Sequence, residues 1–203
     1  QVGQALHRAG FNGVLIVISN PVDVITGIYQ QVTGLPANQV FGTGTYLDTA
    51  RLKRSLGDAL NVDPRSIQGY MLGEHGDSQF AAWSTVRVLG QKADELVTNY
   101  HLDLDAVAND ARVGGFTVFS GKKYTNFAIA HAAVSLAQLV LSDAHNEAIV
   151  SHYDARFAGY ISTPAIIGRS GVVANFELTL TADEQRALQQ SANAIAEKTA
   201  AYL

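Results

Sequence analysis

Cysteine is absent from the 203 residues. Its absence excludes a disulfide framework, cysteine-ligated zinc and a cysteine nucleophile, and is compatible with a reducing compartment, the cytoplasm by default. Long apolar runs are missing too. Near the start the apolar stretch extends only from Gly13 to Ser19, far short of the roughly 20 residues a membrane helix needs, and no basic flank marks a signal peptide. No membrane partner is expected. Neither sign of charge dominates: 14 Lys and Arg against 18 Asp and Glu give a formal charge of -4 without a run of like charges, so the footprint of a nucleic-acid binder is lacking. The six histidines show no ligand spacing with one another or with carboxylates, and no metal site is expected. There is no internal repeat and no low-complexity segment. No methionine opens the chain. It begins Gln1-Val2-Gly3-Gln4-Ala5-Leu6, with the apolar spacing of a helix already under way and no cap, which creates the expectation that a beginning has been lost.

What is there is an ordinary globular composition, 47% hydrophobic, sufficient for one good core or two small ones. Val14 to Ile18 is an unbroken aliphatic run between Gly13 and Ser19-Asn20-Pro21, the pattern of a central strand in a parallel sheet. Pro21 suits a first helical turn, and Val22, Ile25, Ile28 and Tyr29 recur at helical spacing until Gly34-Leu35-Pro36. With a short strand at Val40 to Gly42, this order predicts a right-handed parallel crossover.

A helix is predicted from Thr45 to Leu60, ended by Pro64 and its polar neighbours. The domain boundary is placed near Gly44, giving 1–44 and 45–203. Strands are predicted at Ile67 to Leu72 and Ser84 to Leu89, and helices at Leu104 to Arg112 and Asn126 to Leu141. Antiparallel strands are predicted at His145 to Val150, Tyr160 to Ile167 and Phe176 to Leu180, with Gly168-Arg169-Ser170-Gly171 as a hairpin turn. Thr181-Ala182-Asp183-Glu184 opens the last helix as a capping box.

Asp48 and Arg51 sit three positions apart and so share a helix face. Alone, the pair reads as a surface ion pair. His75 in Gly73-Glu74-His75-Gly76-Asp77-Ser78 reads alone as an ordinary loop histidine, and Asn20 before Pro21 as a helix cap. Together these residues meet the needs of a 2-keto-acid reductase: a proton donor, a group that keeps the donor charged, a carboxylate anchor and a donor on the carbonyl side. A hydrolase using His75, Asp48 and Ser78 fails for want of a strained Gly-x-Ser-x-Gly turn.

The segments Val17-Ile18-Ser19-Asn20-Pro21-Val22-Asp23, Gly42-Thr43-Gly44-Thr45 leading to Leu47-Asp48-Thr49-Ala50-Arg51, and Gly73-Glu74-His75-Gly76-Asp77-Ser78 are similar to the three signatures of the lactate/malate dehydrogenase family. The likeness continues through Gly121-Lys122-Lys123-Tyr124-Thr125 and Pro164-Ala165-Ile166-Ile167-Gly168-Arg169, so it covers essentially the whole chain. The stretches Val17 to Thr26 and Gln79 to Gly90 resemble the L-2-hydroxyisocaproate dehydrogenase branch, with L-lactate dehydrogenase next and malate dehydrogenase further off.

The resemblance implies an α/β fold: residues 1–44 as the C-terminal part of a Rossmann-type NAD-binding domain, and 45–203 as an α+β catalytic domain with antiparallel strands. It implies His75 as the proton-transfer residue, Asp48 as the carboxylate that fixes and charges it, and Arg51 as the substrate-carboxylate anchor. Asn20 would touch both substrate and nicotinamide ribose, Thr125 and Ile129 would line the substrate pocket, and Ile18 and Thr43 would adjoin the cofactor. It further implies NAD as cofactor, a small 2-keto or 2-hydroxy acid as substrate, and a homo-oligomer, dimer or tetramer.

Two features depart from the family pattern. No Gly-x-Gly-x-x-Gly with a downstream acidic residue occurs, and Gly42 and Gly44 stand in the wrong place to replace it. The family's mobile loop with a second, carbonyl-polarising arginine is also missing. The expectation is a chain lacking the dinucleotide-binding first half, with the Val14 to Ile18 strand at an exposed sheet edge and a tendency to self-associate. A non-catalytic oligomerisation or interaction fragment is the alternative.

Overall fold

The computed structural model describes residues 1–202. It opens with α1 (Val2–Arg8), β1 (Leu15–Val17), α2 (Val22–Thr33), β2 (Val40–Gly42) and α3 (Tyr46–Leu60). Five short strands follow: β3 (Ile67–Gln68), β4 (Met71–Leu72), β5 (Phe80–Ala81), β6 (Arg87–Val88) and β7 (Gln91–Lys92). Then come α4 (Ala93–Tyr100), α5 (Leu104–Lys122), α6 (Phe127–Leu141), β8 (Asn146–Asp154), β9 (Gly159–Gly168), β10 (Gly171–Asn175) and α7 (Ala182–Ala200). Among the described residues no helix is long and apolar enough to cross a membrane.

β1 and β2 pair in parallel, Leu15 opposite Val40 and Val17 opposite Gly42, with α2 as the crossover the Pro21 and apolar spacing predict. α2 stops at Gly34, whose φ of 71° is left-handed and natural to a residue without Cβ. The main sheet has the order β1-β2-β8-β9-β10. Its first pair is parallel and the rest antiparallel, so it is a mixed α/β fold, with β1 at one edge. β8 and β9 form a long hairpin from Asn146 opposite Ile167 to Asp154 opposite Gly159. β10 returns after Arg169 and Ser170, the expected turn.

The pleat sends alternate side chains to two cores. Ala148 and Val150 join Phe41, Leu136 and Ile167 beneath α6. Ile149 and Ile161 join Val24, Leu188 and Ile195 beneath α2 and α7. α7 starts as the capping box predicts: the Glu184 N–H donates to Thr181 Oγ1 at 3.2 Å and the Thr181 N–H to Glu184 Oε2 at 2.9 Å.

Away from the sheet, Leu52, Leu56, Ile67, Met71, Leu96 and Val107 form a third core between α3, α4 and α5. Leu56 is fully buried there. Leu56→Ala is expected to lower the unfolding free energy by about 2–5 kcal/mol, lost transfer energy plus the cavity left behind, as read from a urea titration.

Several sequence expectations need correction. Ile67 to Leu72 is not one strand: at Gly69 (φ 141°) the chain turns, and β3 and β4 belong to separate small sheets. Ser84 to Leu89 is a strand only at Arg87 and Val88, after a short helical turn over Trp83–Thr85. Thr85 Oγ1 donates to the Ala82 carbonyl at 2.6 Å and Arg87 Nη1 to that of Ser84 at 3.0 Å, side-chain bonds that compete with a ladder. Phe176 to Leu180 forms no strand, because β10 ends at Asn175 and Leu178 and Leu180 leave the sheet to pack against the α2 and α7 core. The helix expected to stop at Arg112 runs on to Lys122.

Candidate active site

α3 delivers two charged side chains to one point. Asp48 lies in its first turn, where the helix dipole favours a carboxylate, and Arg51 follows one turn later. Asp48 Oδ1 accepts from Arg51 Nη1 at 2.7 Å, and its Oδ2 meets His75 Nδ1 at 2.6 Å. The Asp48 side chain is only 1% exposed, so the pair is not the solvated one that spacing alone suggests.

His75 stands in the turn between β4 and β5, and that turn is held on three sides. Gly73 exchanges two backbone hydrogen bonds with Ser162 of β9, at 3.0 and 3.1 Å. Gly73 has φ 94°, and a Cβ there would lie 2.5 Å from Ser191 Oγ, so glycine is required twice over. The Glu74 N–H donates to Ser191 Oγ on α7 at 2.6 Å, and the Glu74 carboxylate accepts from Ser78 Oγ and Lys198 Nζ. Lastly, the His75 N–H donates to Asp23 Oδ2 on α2 at 2.8 Å.

A carboxylate can only accept, so His75 Nδ1 carries its hydrogen toward Asp48 and Nε2 is the atom free to exchange a proton. Burial pulls the imidazole pKa down, but the Asp48 hydrogen bond and charge, helped by the Asp23 charge, outweigh burial and the opposing Arg51, and the net shift is upward.

Beside this triad lies a cavity of about 900 Å³, within the range of small-molecule sites. The structure brings all eight sequence-nominated residues to its wall: Ile18, Asn20, Thr43, Asp48, Arg51, His75, Thr125 and Ile129. Ile18 and Asn20 follow β1 and Thr43 follows β2, at the carboxyl ends of the parallel pair, where α/β sheets bind ligands. Thr125 precedes α6 and Ile129 lies in its first turn. Pro21, not Asn20, occupies the N-cap of α2, which has no side-chain cap; the capping reading of Asn20 therefore fails.

Sequence reasoning missed the far wall. Val113, Phe116, Phe119 and Lys122 line it from the unforeseen half of α5, next to Arg112 at the end of the predicted half. Val113, Phe116 and Phe119 repeat every third residue, a helical signal masked by Gly114, Gly115 and Gly121. Two of those glycines have a job. A Cβ on Gly114 would come 2.9 Å from Arg51 Cδ, and one on Gly115 3.4 Å from both Arg51 Nη atoms. The helix backbone is thus the bed on which the guanidinium lies. Gly114→Ala is expected to keep or raise the melting temperature, since alanine gains up to about 1 kcal/mol in a helix, while displacing Arg51 and weakening carboxylate binding severalfold in a ligand titration.

The buried Asp48 thus joins an arginine and a histidine on the wall of one cavity. The chain belongs to the lactate/malate dehydrogenase family: the profile of its α/β C-terminal domain matches residues 45–201. L-lactate dehydrogenase 1 of Lactobacillus acidophilus is 36% identical over 197 residues, which cover 94% of this chain and 61% of that protein. L-lactate dehydrogenase 3 of Bacillus anthracis is 38% identical over 193 residues, 91% of this chain and 61% of that protein. A minor L-lactate dehydrogenase from Enterococcus mundtii, solved in the ligands-bound form, superposes with a TM-score of 0.93 at 32% identity, covering 98% of this chain and 68% of that one. The chain thus spans about 61% of the length of these curated relatives.

Proposed function

We propose that this chain supplies the substrate-holding and proton-transferring part of an NAD-dependent L-2-hydroxy-acid dehydrogenase, acting between a 2-hydroxy acid and its 2-keto acid. The observation that carries the reading is the Arg51–Asp48–His75 triad on the wall of a cavity much larger than a small keto acid. In this reading residues 1–44 are the end of the nucleotide-binding domain and 45–203 the catalytic domain, and copies associate as a dimer or tetramer.

The residues present fit the nicotinamide end of the cofactor: Ile18, Asn20 and Thr43 stand at the ends of the parallel strands and open on the same cavity as His75. The chemistry such a cofactor supplies is two-electron transfer at the substrate α-carbon. The protein's own residues do the rest. Arg51, with one N–H on Asp48 and four remaining, grips the substrate carboxylate and turns the α-carbon toward the nicotinamide side. His75 gives its Nε2 proton to the keto oxygen in reduction and takes it back in oxidation. Asp48 holds the ring in one tautomer and stabilises the imidazolium. Thr125, Ile129 and the α5 side chains Val113, Phe116 and Phe119 enclose the substrate side chain, and the apolar members of this set support branched keto acids such as 2-ketoisocaproate, with pyruvate next.

The test is oxidation of NADH by the full chain with pyruvate and with 2-ketoisocaproate, followed at 340 nm. Turnover with either supports the reading, and their kcat/KM ratio ranks the substrates. No turnover although NADH binds by fluorescence, or no binding of the keto-acid mimic oxamate, would overturn it in favour of a non-catalytic member of the family.

A further inference from the structure

We propose that the cavity between α4 and the β6–β7 hairpin is a second binding site, for a small carboxylic acid with an apolar body. The proposal does not rest on the dehydrogenase reading, because neither the site nor its test requires turnover.

The cavity measures about 540 Å³ and shares no lining residue with the active-site cavity. Its apolar wall is the outer surface of the third core: Trp83 and Leu104 pack against that core and, with Val97, face the cavity. Its polar side is cationic. Arg87 and Lys92 stand directly opposite one another in the β6–β7 pair and both line the cavity. Like charges directly opposite across two strands destabilise the pairing. Among the described residues neither cation has a carboxylate within ion-pair distance, so a bound anion would relieve a repulsion that the fold leaves standing.

Arg87 is already held for the task. Its Nη1 donates to the carbonyls of Ser84 at 3.0 Å and Val86 at 2.6 Å, which fixes the guanidinium and leaves Nε and Nη2 for a ligand. A side chain anchored in this way loses little freedom on binding. Two nearby carboxylates are occupied by backbone donors: Glu95 Oε2 accepts the Lys92 N–H at 2.6 Å, and Glu184 accepts the N–H groups of Ser84 and Thr181, both at 2.9 Å. Asp94, in the first turn of α4, also lines the cavity and opposes an anion there. Two cations against one carboxylate, beside an indole and two aliphatic side chains, fit a singly charged acid with an aromatic or branched hydrocarbon group. A polyanion would gain nothing from the apolar wall, and a neutral hydrocarbon would leave the paired cations uncompensated.

Trp83 is the one tryptophan of the chain, so its fluorescence reads this cavity and not the active site. The probe is phenylacetate, titrated into the full chain beside phenylacetamide, which has the same body without the charge. The expected result is a saturable change in Trp83 emission with phenylacetate and an affinity for phenylacetamide at least ~10-fold weaker, the worth of a charge-assisted contact. Because Arg87 braces its own loop, the variant that tests the site is Lys92→Gln, at an exposed position; it should weaken phenylacetate about threefold or more, the value of one exposed cation. Arg51→Gln, in the other cavity, should leave the titration unchanged. Emission that changes without saturating, equal affinity for the amide, or equal affinity in Lys92→Gln would overturn the site. Loss of the signal in Arg51→Gln would place the acid in the active-site cavity and overturn it as well. A saturable signal in a protein that does not oxidise NADH would leave this site standing and sink only the dehydrogenase reading.

Discussion

His75→Gln is expected to lower kcat for keto-acid reduction by about 10²–10⁴-fold, the usual worth of a positioned acid–base group, with KM changed far less. Glutamine can donate a hydrogen bond from its amide but cannot release a proton, while Arg51 and its hold on the substrate carboxylate stay in place. Stopped-flow measurement at several pH values checks this, and a loss below tenfold would remove His75 from the chemistry.

The same variant also reports on stability. Asp48 and Asp23 hold the folded-state pKa of His75 above the ordinary value of 6.5 despite its burial. The resulting stabilisation is fully present below the unfolded pKa and is lost as pH rises through the folded one. Urea titrations should therefore show wild-type stability falling with pH across that window by more than the stability of His75→Gln does.

Arg51→Lys is expected to reduce kcat/KM on the order of 10²-fold, most of it through KM. The guanidinium offers several N–H groups in a fixed plane, so it bonds Asp48 and still presents a fork to a carboxylate. A lysine ammonium in its place is a single charged point, and attraction to Asp48 one helical turn back competes with the substrate for it. The shorter head group also leaves Gly114 and Gly115 facing empty space where the guanidinium lay. Binding of oxamate, a carboxylate that mimics the substrate, should weaken in step with KM; equal oxamate affinity in the two proteins would place the carboxylate elsewhere.

These two substitutions bear on residues that were legible in the sequence, and others were not. Asp48, Arg51 and His75 stand out because glycines and short motifs surround them, and the spacing of Asp48 and Arg51 is a local helical property. The Val14 to Ile18 run and the Thr181 capping box are legible for the same reason: strand and cap formation depend on neighbours in sequence. Ser84 to Leu89 misleads because its apolar residues suit a strand while Thr85 and Arg87 bond back to their own backbone. Phe176 to Leu180 misleads because an apolar alternation says nothing about whether a partner edge is within reach.

The sequence by itself determined the residue types the chemistry needs, the parallel crossover that opens the fold and the family to which the chain belongs, since each is written in short contiguous stretches. Only the tertiary structure decided that Asp48 is buried, that α5 continues through Gly114, Gly115 and Gly121 to wall the cavity, and that Asp23 accepts the His75 N–H. Those facts depend on burial and on contacts between residues such as Asp23 and His75, which are 52 positions apart, and no local pattern encodes a distance that packing alone closes.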